Sequence, residues 1–240
     1  MTTLVVGASG ETGRLLVEQL LNRGELVRII VRSGSNLPEA VRNHPNLSIT
    51  QASITEMNDT DLTQLVTGCE AVASCLGHTL SLKGIYGQPR RLVTDTARRI
   101  CSVIQENTSE QPVKYVLMNT TGNKNRDLKE PTSFRHNAVI GLLRLLLPPH
   151  VDNEKAANFL RTEIGQNHPA IEWVAVRPDG LIDNPDVSEY DLHPSPIRDP
   201  IFNSGQTSRI NVAHFMATLI NDADSWTRWQ GQMPVIYNRS

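Results

Sequence analysis

Short β-branched and aliphatic runs alternate with longer amphipathic segments along most of this chain. Residues 3–6 form an apolar run ending at Gly7. Leu15, Leu16, Leu20 and Leu21 then recur at helical spacing over 12–22, with Gly24 as a stop signal. The pattern predicts strands at 27–31, 47–50, 71–75, 115–118, 173–176 and 234–237. It predicts helices at 38–43, 59–66, 90–106, 133–147, 153–164 and 212–221. Strands alternating with helices imply right-handed crossovers and a parallel sheet covered on both faces. The expected fold class is therefore α/β, a doubly wound parallel sheet of Rossmann type. In such sheets ligands bind beyond the carboxyl ends of the strands. Residues 183–208, rich in Pro, Asp and Ser and lacking a clear period, suit a substrate loop at that end, as do 79–88 and 122–150.

Composition narrows the partners. The 240 residues show no repeat or linker, so one domain over 1–240 is expected. With 39% hydrophobic and 20% charged residues the chain is globular in type. Its net charge of −2 argues against general nucleic-acid binding. The densest apolar stretch, 139–147, is broken by Gly141 and Arg144 and closed by Pro148 and Pro149. A membrane span needs about 20 residues, so none is expected. A run apolar on nearly every side of a helix is usually buried; the sharper reading of 139–147 is a homo-oligomer interface. The opening residues read as a strand rather than a secretory signal. Cys69, Cys75 and Cys101 have neither metal nor disulfide spacing, so no metal and a reducing cytoplasm are expected.

The strongest chemical signal is Gly7-Ala8-Ser9-Gly10-Glu11-Thr12-Gly13, set between the first strand and the first helix. The first glycine permits a tight turn, the second lets backbone approach a pyrophosphate, and the third lets helix and strand pack closely. Phosphates would sit on the unpaired N–H groups of the helix N-terminus. Gly7, Ser9, Gly10, Glu11, Thr12 and Gly13 are the expected contacts. At the end of the second strand, NAD-binding folds carry an acid for the ribose 2′-hydroxyl, whereas an Arg accommodates a 2′-phosphate. Here Arg32 and Ser33 follow Val31, with no acid before Glu39. NADP(H) is thus favoured over NAD(H).

These residues resemble the atypical branch of the short-chain dehydrogenase/reductase superfamily, the NmrA-like and biliverdin-IXβ/flavin reductase-like proteins. Further landmarks are Ser74-Cys75-Leu76-Gly77, Asn119-Thr120-Thr121-Gly122, Lys155, Arg177-Pro178-Asp179-Gly180 and Ser208 to Ala213. The resemblance implies that Cys75, Leu76 and Gly77 line the nicotinamide-side ribose, that Ser53 and Ile54 approach the adenine, and that Pro178 contributes to the cofactor site. It makes Thr120 the substrate-orienting hydroxyl and Lys155 the lysine of the catalytic pair. One departure matters: four residues before Lys155, where active reductases carry a Tyr acid, stands Val151. Substrate chemistry or solvent is then expected to supply the proton, with His78, Tyr86, His150 and Tyr190 as competing acids. The sequence reading is an NADP(H)-dependent oxidoreductase passing a hydride to a small acceptor such as a flavin, quinone or conjugated carbonyl. The alternative is a non-enzymatic NADP(H)-binding redox sensor. An isomerase or epimerase ranks last, since those normally need the Tyr.

Overall fold

The structure is a computed structural model that describes residues 1–33, 37–79, 81–107, 111–128, 130 and 134–239. Position 133, the expected start of a helix, and parts of two of the expected substrate segments, 79–88 and 122–150, lie outside the described residues.

Seven strands run parallel in one sheet: β1 (Thr2–Val6), β2 (Leu26–Val31), β3 (Leu47–Gln51), β4 (Ala71–Ser74), β5 (Val113–Met118), β6 (Ile171–Pro178) and a late strand at Val235–Asn238. An eighth, at Tyr190–His193, closes one edge antiparallel to the late strand. The spatial order is β3-β2-β1-β4-β5-β6, then the late strand, then the antiparallel one. Chain direction across the sheet reverses between β1 and β4. That switch point is where a doubly wound sheet leaves a crevice for a ligand.

Burial follows position. The central β4 is buried along its whole length and β1 along all but its first residue, as continuous apolar strands covered on both faces should be. Edge strand β3 leaves Ile49 exposed. On one face α3 (Asp59–Val66), α5 (Leu92–Glu106) and α7 (Pro148–Phe159) cover the sheet, α5 burying Val93, Ala97, Ile100 and Ile104. On the other, α1 (Glu11–Asn22) buries Leu16, Val17, Leu20 and Leu21 and packs along α8 (Arg209–Asn221). Each such Val, Leu or Ile side chain contributes about 1.5–3 kcal/mol when fully buried. The short α2 (Glu39–Arg42) and α4 (Leu82–Tyr86) and the longer α6 (Phe134–Leu146) occupy connections.

Several elements differ from the sequence reading. Pro148 and Pro149 follow the end of α6 and also begin α7, because the first turn needs no N–H from them. The helix expected from 153 therefore starts at 148, and it ends in a π-helical turn, Leu160–Ile164. Residues 183–208 contain Tyr190–His193 and the short strand Gln206–Ser208, which pairs with Gly180–Ile182. A helix at Ala223–Trp229, capped by Asp222, buries Trp226 and Trp229.

The apolar run in α6 is not uniformly buried. Ile140 is covered, but Leu142, Leu145 and Leu146 are 55%, 78% and 49% exposed. The helix packs against α7 along one side, which leaves the opposite leucines facing out.

Candidate functional site

Because β1 to β6 are parallel, every segment that follows one of them emerges at the same sheet edge. The glycine turn, Arg32, Ser53, Cys75, Thr120 and Asp179 are thereby gathered from six separate places in the sequence.

The glycine turn divides its labour. Gly7 has φ +77°, and a Cβ there would stand 2.5 Å from the Cys75 carbonyl carbon, so only glycine lets β1 and β4 close on each other. At Gly13 a Cβ would overlap the Gly7 carbonyl. Gly10 is different: it is exposed, and a Cβ would meet only the Gly7 oxygen, at 3.3 Å. Space beside Gly10 is open toward the outside. Gly10 is also the N-cap of α1, with no side-chain cap, whereas Asn58 caps α3 and Ser208 caps α8. The first N–H groups of α1 lack intrahelical acceptors, and the helix dipole favours an anion there. An uncovered helix start beside an open glycine fits a pyrophosphate. Glu11 is turned aside into an ion pair with Arg14 at 2.8 Å, and the Thr12 side chain is buried, so backbone rather than side chain is offered at that position. Ser9 is half-buried at the turn.

Arg32 and Ser33 are exposed at the end of β2. The neighbouring turn after β3 carries Ser53, whose hydroxyl lies 2.9 Å from that of Thr55, and Ile54. Arg99 of α5 fixes this turn, donating to the carbonyls of Ile54 and Met57 at 2.7 Å and to Asp59 at 2.6 Å. No pattern in the sequence singles out Arg99.

Beyond β4, the Cys75 thiol is buried 4.0 Å from Met216 Sδ, and burial pushes its pKa up to about 12. At neutral pH it stays a protonated thiol rather than a thiolate nucleophile. Leu76 packs on the core and Gly77 is exposed. His78 follows, its Nε2 2.8 Å from Asp152 Oδ2 of α7. Asp152 is fully buried and also accepts the N–H groups of Val93 and Thr94, capping α5 from another helix. No pattern along the chain marks Asp152, because its partners lie about sixty residues away.

At the end of β5, Thr120 N–H donates to Asn119 Oδ1 at 2.9 Å, and Gly122 N–H donates to Thr120 Oγ1 at 3.2 Å. Asn119 Nδ2 reaches the Asn153 carbonyl at 3.0 Å and so docks α7 on β5. His150, in the first turn of α7, borders the same space as Thr120: a Cβ on Gly122 would lie 3.4 Å from His150 Cε1 and 3.6 Å from Thr120 Oγ1. Lys155 is placed elsewhere. It is exposed and lines a groove of about 480 Å³ between α5 and α7, with Arg91, Thr94, Asp95 and Arg98. The structure thus brings Thr120 together with His150 rather than with Lys155. Two other candidate acids are engaged otherwise. Tyr86 donates to the Leu146 carbonyl at 3.1 Å. The Tyr190 hydroxyl lies 2.8 Å from His214 Nδ1, and burial raises its pKa.

The far wall is built by buried polar groups. Pro178, the last residue of β6, is buried and accepts the Thr121 N–H at 3.1 Å. Asp179 accepts from Thr121 Oγ1 and from the N–H groups of Gly180 and Gly205, tying the 183–208 segment to β5. Asn211 holds Ser188 through two bonds, which accounts for the Ser208–Ala213 landmark. Among the described residues no group of three or more His, Cys, Asp or Glu is placed to hold a metal. No helix among them is long and apolar enough to cross a membrane.

Comparison with known proteins bears on the fold and the family. An uncharacterized chloroplastic protein of Arabidopsis thaliana is 42% identical over 55 residues, 23% of this chain and 20% of that one, so the match spans a fifth of that relative. A proposed NADH-flavin reductase from Streptococcus pneumoniae superposes with a TM-score of 0.69 at 17% identity, covering 100% of both chains. The anaerobillin reductase ChuY of Escherichia coli O157:H7 gives 0.67 at 14%, covering 100% of this chain and 98% of that one. A wide-type short-chain dehydrogenase/reductase from Veillonella parvula, in complex with NADP, gives 0.71 at 17%, with 100% and 95% covered. At these identities the likeness is one of fold. The family is fixed by the sequence itself: residues 7–223 match the NAD(P)H-binding family, from the first glycine of the turn to the last helix, and the chain belongs to it.

Proposed function

We infer that the protein is an NADP(H)-dependent reductase that passes a hydride to a small conjugated acceptor: a flavin, a quinone or a conjugated carbonyl. The observation that supports this most is the uncapped start of α1, with open space at Gly10, directly beside the sheet's switch point. The dinucleotide supplies the hydride chemistry; the protein supplies orientation and exclusion of water. Gly7, Ser9, Gly10, Glu11, Thr12 and Gly13 form the phosphate turn, mainly through backbone. Arg32 and Ser33 receive the 2′-phosphate, Ser53 and Ile54 flank the adenine, and Cys75, Leu76, Gly77 and Pro178 line the nicotinamide end. Thr120 orients the acceptor. Lys155, in its outer groove, is assigned no contact with the acceptor.

NADPH oxidation against a panel of flavins, quinones, bilins and carbonyls tests the reading, with cofactor binding followed in parallel. Turnover with at least one acceptor is expected, and its absence across the panel contradicts the assignment. Arg32→Ala is expected to weaken NADPH about ten- to a hundredfold, the worth of a charged hydrogen bond, and to leave NADH nearly unchanged. Equal losses would remove the NADP(H) preference.

A second reading has one observation in its favour. Exposed Leu142, Leu145 and Leu146 on α6 form an apolar face suited to another protein, or to a second copy of this chain. On that reading the protein binds NADP(H) and reports redox state without turnover. Tight cofactor binding with no oxidation across the panel would favour it.

A further inference from the structure

We propose that His150 is the proton donor of the reduction, delivering its Nδ1 proton to the acceptor held against Thr120. The proposal rests on the reductase reading above. Its basis is placement. Gly122 has no side chain, and the space where one would stand is bordered by His150 Cε1 at 3.4 Å, Thr120 Oγ1 at 3.6 Å and His150 Nδ1 at 3.8 Å. A hydroxyl and an imidazole edge therefore flank one point beyond the carboxyl end of β5. The Asn119–Asn153 bond locks α7 onto β5 and sets the height of His150 along the sheet edge.

The rest of the ring is held by charge. Nε2 lies 3.8 Å from Glu154 Oε1, one turn further along α7, and is buried without a hydrogen-bond partner. Arg144 of α6 grips Glu154 with two bonds, at 2.8 and 2.7 Å. Glu154 thus faces Nε2 and pulls toward the imidazolium, against burial and Arg144, while Nδ1 lies on the Gly122 side of the ring. The charged groups facing His150 are Glu154 on its own helix and Arg144 on α6; the β5 loop presents the uncharged Thr120 and Gly122.

The step balances with the dinucleotide, when bound, as hydride source and water as the final proton source. The acceptor's double bond takes a hydride from NAD(P)H at one end and a proton from Nδ1 at the other. Its π electrons become the new bond to that proton, the imidazolium becomes a neutral imidazole, and water restores the proton. Val151, with no proton to give, then leaves no gap: the donor comes from the preceding residue.

Burial lowers the His150 pKa from the usual 6.5, against the pull of Glu154 and with the help of Arg144. The charged donor is present below that lowered value and lost above it, so turnover should rise toward acid pH. The experiment compares the unsubstituted protein, His150→Gln and Glu154→Gln. The acceptor is whichever of flavin, quinone or carbonyl the unsubstituted protein reduces with NADPH. His150→Gln is expected to lower kcat by about a hundred- to ten-thousandfold, the usual worth of a general acid, with NADPH affinity intact and the acid-side rise abolished. Glu154→Gln is expected to move the kcat inflection to lower pH. Imidazole 1H–15N NMR on the protein without cofactor gives a second readout. The resonance missing in His150→Gln should titrate below 6.5, and lower still in Glu154→Gln. Unchanged kcat in His150→Gln, or a titration that ignores Glu154→Gln, overturns the proposal while leaving the reductase reading intact. No oxidation by the unsubstituted protein with any acceptor overturns both.

Discussion

Arg177 and Glu130 provide the sharpest test of how the substrate side is held together. Arg177 is wholly buried at the end of β6, and the Glu130 side chain is only 4% exposed. The guanidinium donates to Glu130 at 2.8 and 3.2 Å and to the carbonyls of Met233, Asn123 and Pro194 at 2.7, 2.9 and 3.1 Å. Glu130 also accepts the Asn125 N–H at 2.8 Å. One buried cation thus ties together the loop after β5, the strand Val235–Asn238 through its lead-in, and the 183–208 segment. Glu130→Ala strips the countercharge and orphans a backbone donor. Breaking a buried pair from one side costs about 3–5 kcal/mol. In a chain of this length each kcal/mol lowers Tm by about 2–4 °C, so a fall of roughly 6–20 °C is expected. Removing both charges together, as in Glu130→Ala/Arg177→Met, leaves no unpaired ion and should cost less than the sum of the single changes. Urea unfolding followed by circular dichroism measures all four proteins of the cycle. A Glu130→Ala loss under about 1 kcal/mol, or strict additivity in the double variant, would refute the reasoning.

Three further outcomes follow from the same geometry. Gly13→Ala should destabilise the fold, since its methyl overlaps the Gly7 carbonyl, whereas Gly10→Ala should unfold at nearly the original urea concentration; equal losses would contradict the division of labour in the turn. Burial raises the pKa of Cys69, Cys75 and Cys101, so iodoacetamide at pH 8 should label none of them quickly in the native protein and all three after unfolding, as mass spectrometry can count. Burial lowers the pKa of His150 and of His214, so below about pH 6.5 the unfolded chain takes up more protons at these sites and stability falls with pH. A His150→Gln/His214→Gln protein should show a shallower loss of urea stability between pH 7 and 5, and an identical slope would discount both groups.

The core of the fold is legible from local pattern. β1 through β6, α1, α3 and α5 announce themselves by apolar periodicity, and parallel alternation places their loops at one edge. What escapes is set by contacts distant in sequence. Tyr190–His193 gains its identity as a strand only from pairing with Val235–Asn238. Pro148 reads as a stop when a helix precedes it and as a start when one follows, and both are true here. The site divides in the same way. The glycine turn and Arg32 are marked as candidates by adjacent residues, so spacing alone brings them forward. His150 with Thr120, His78 with Asp152 and Arg177 with Glu130 are each made by folding, and no interval in the sequence predicts them. Four-residue spacing pointed to Lys155 through Val151, yet the turn of α7 places the preceding side chain beside Thr120.

Calorimetric titration of NADPH into the protein and into Gly10→Val tests the central claim most directly. The unsubstituted protein should bind one NADPH per chain, and Gly10→Val, still folded by circular dichroism, should show no heat of binding, because its side chain fills the space left for the pyrophosphate. Failure of the unsubstituted protein to bind NADPH, or equal affinity in the variant, would contradict the account.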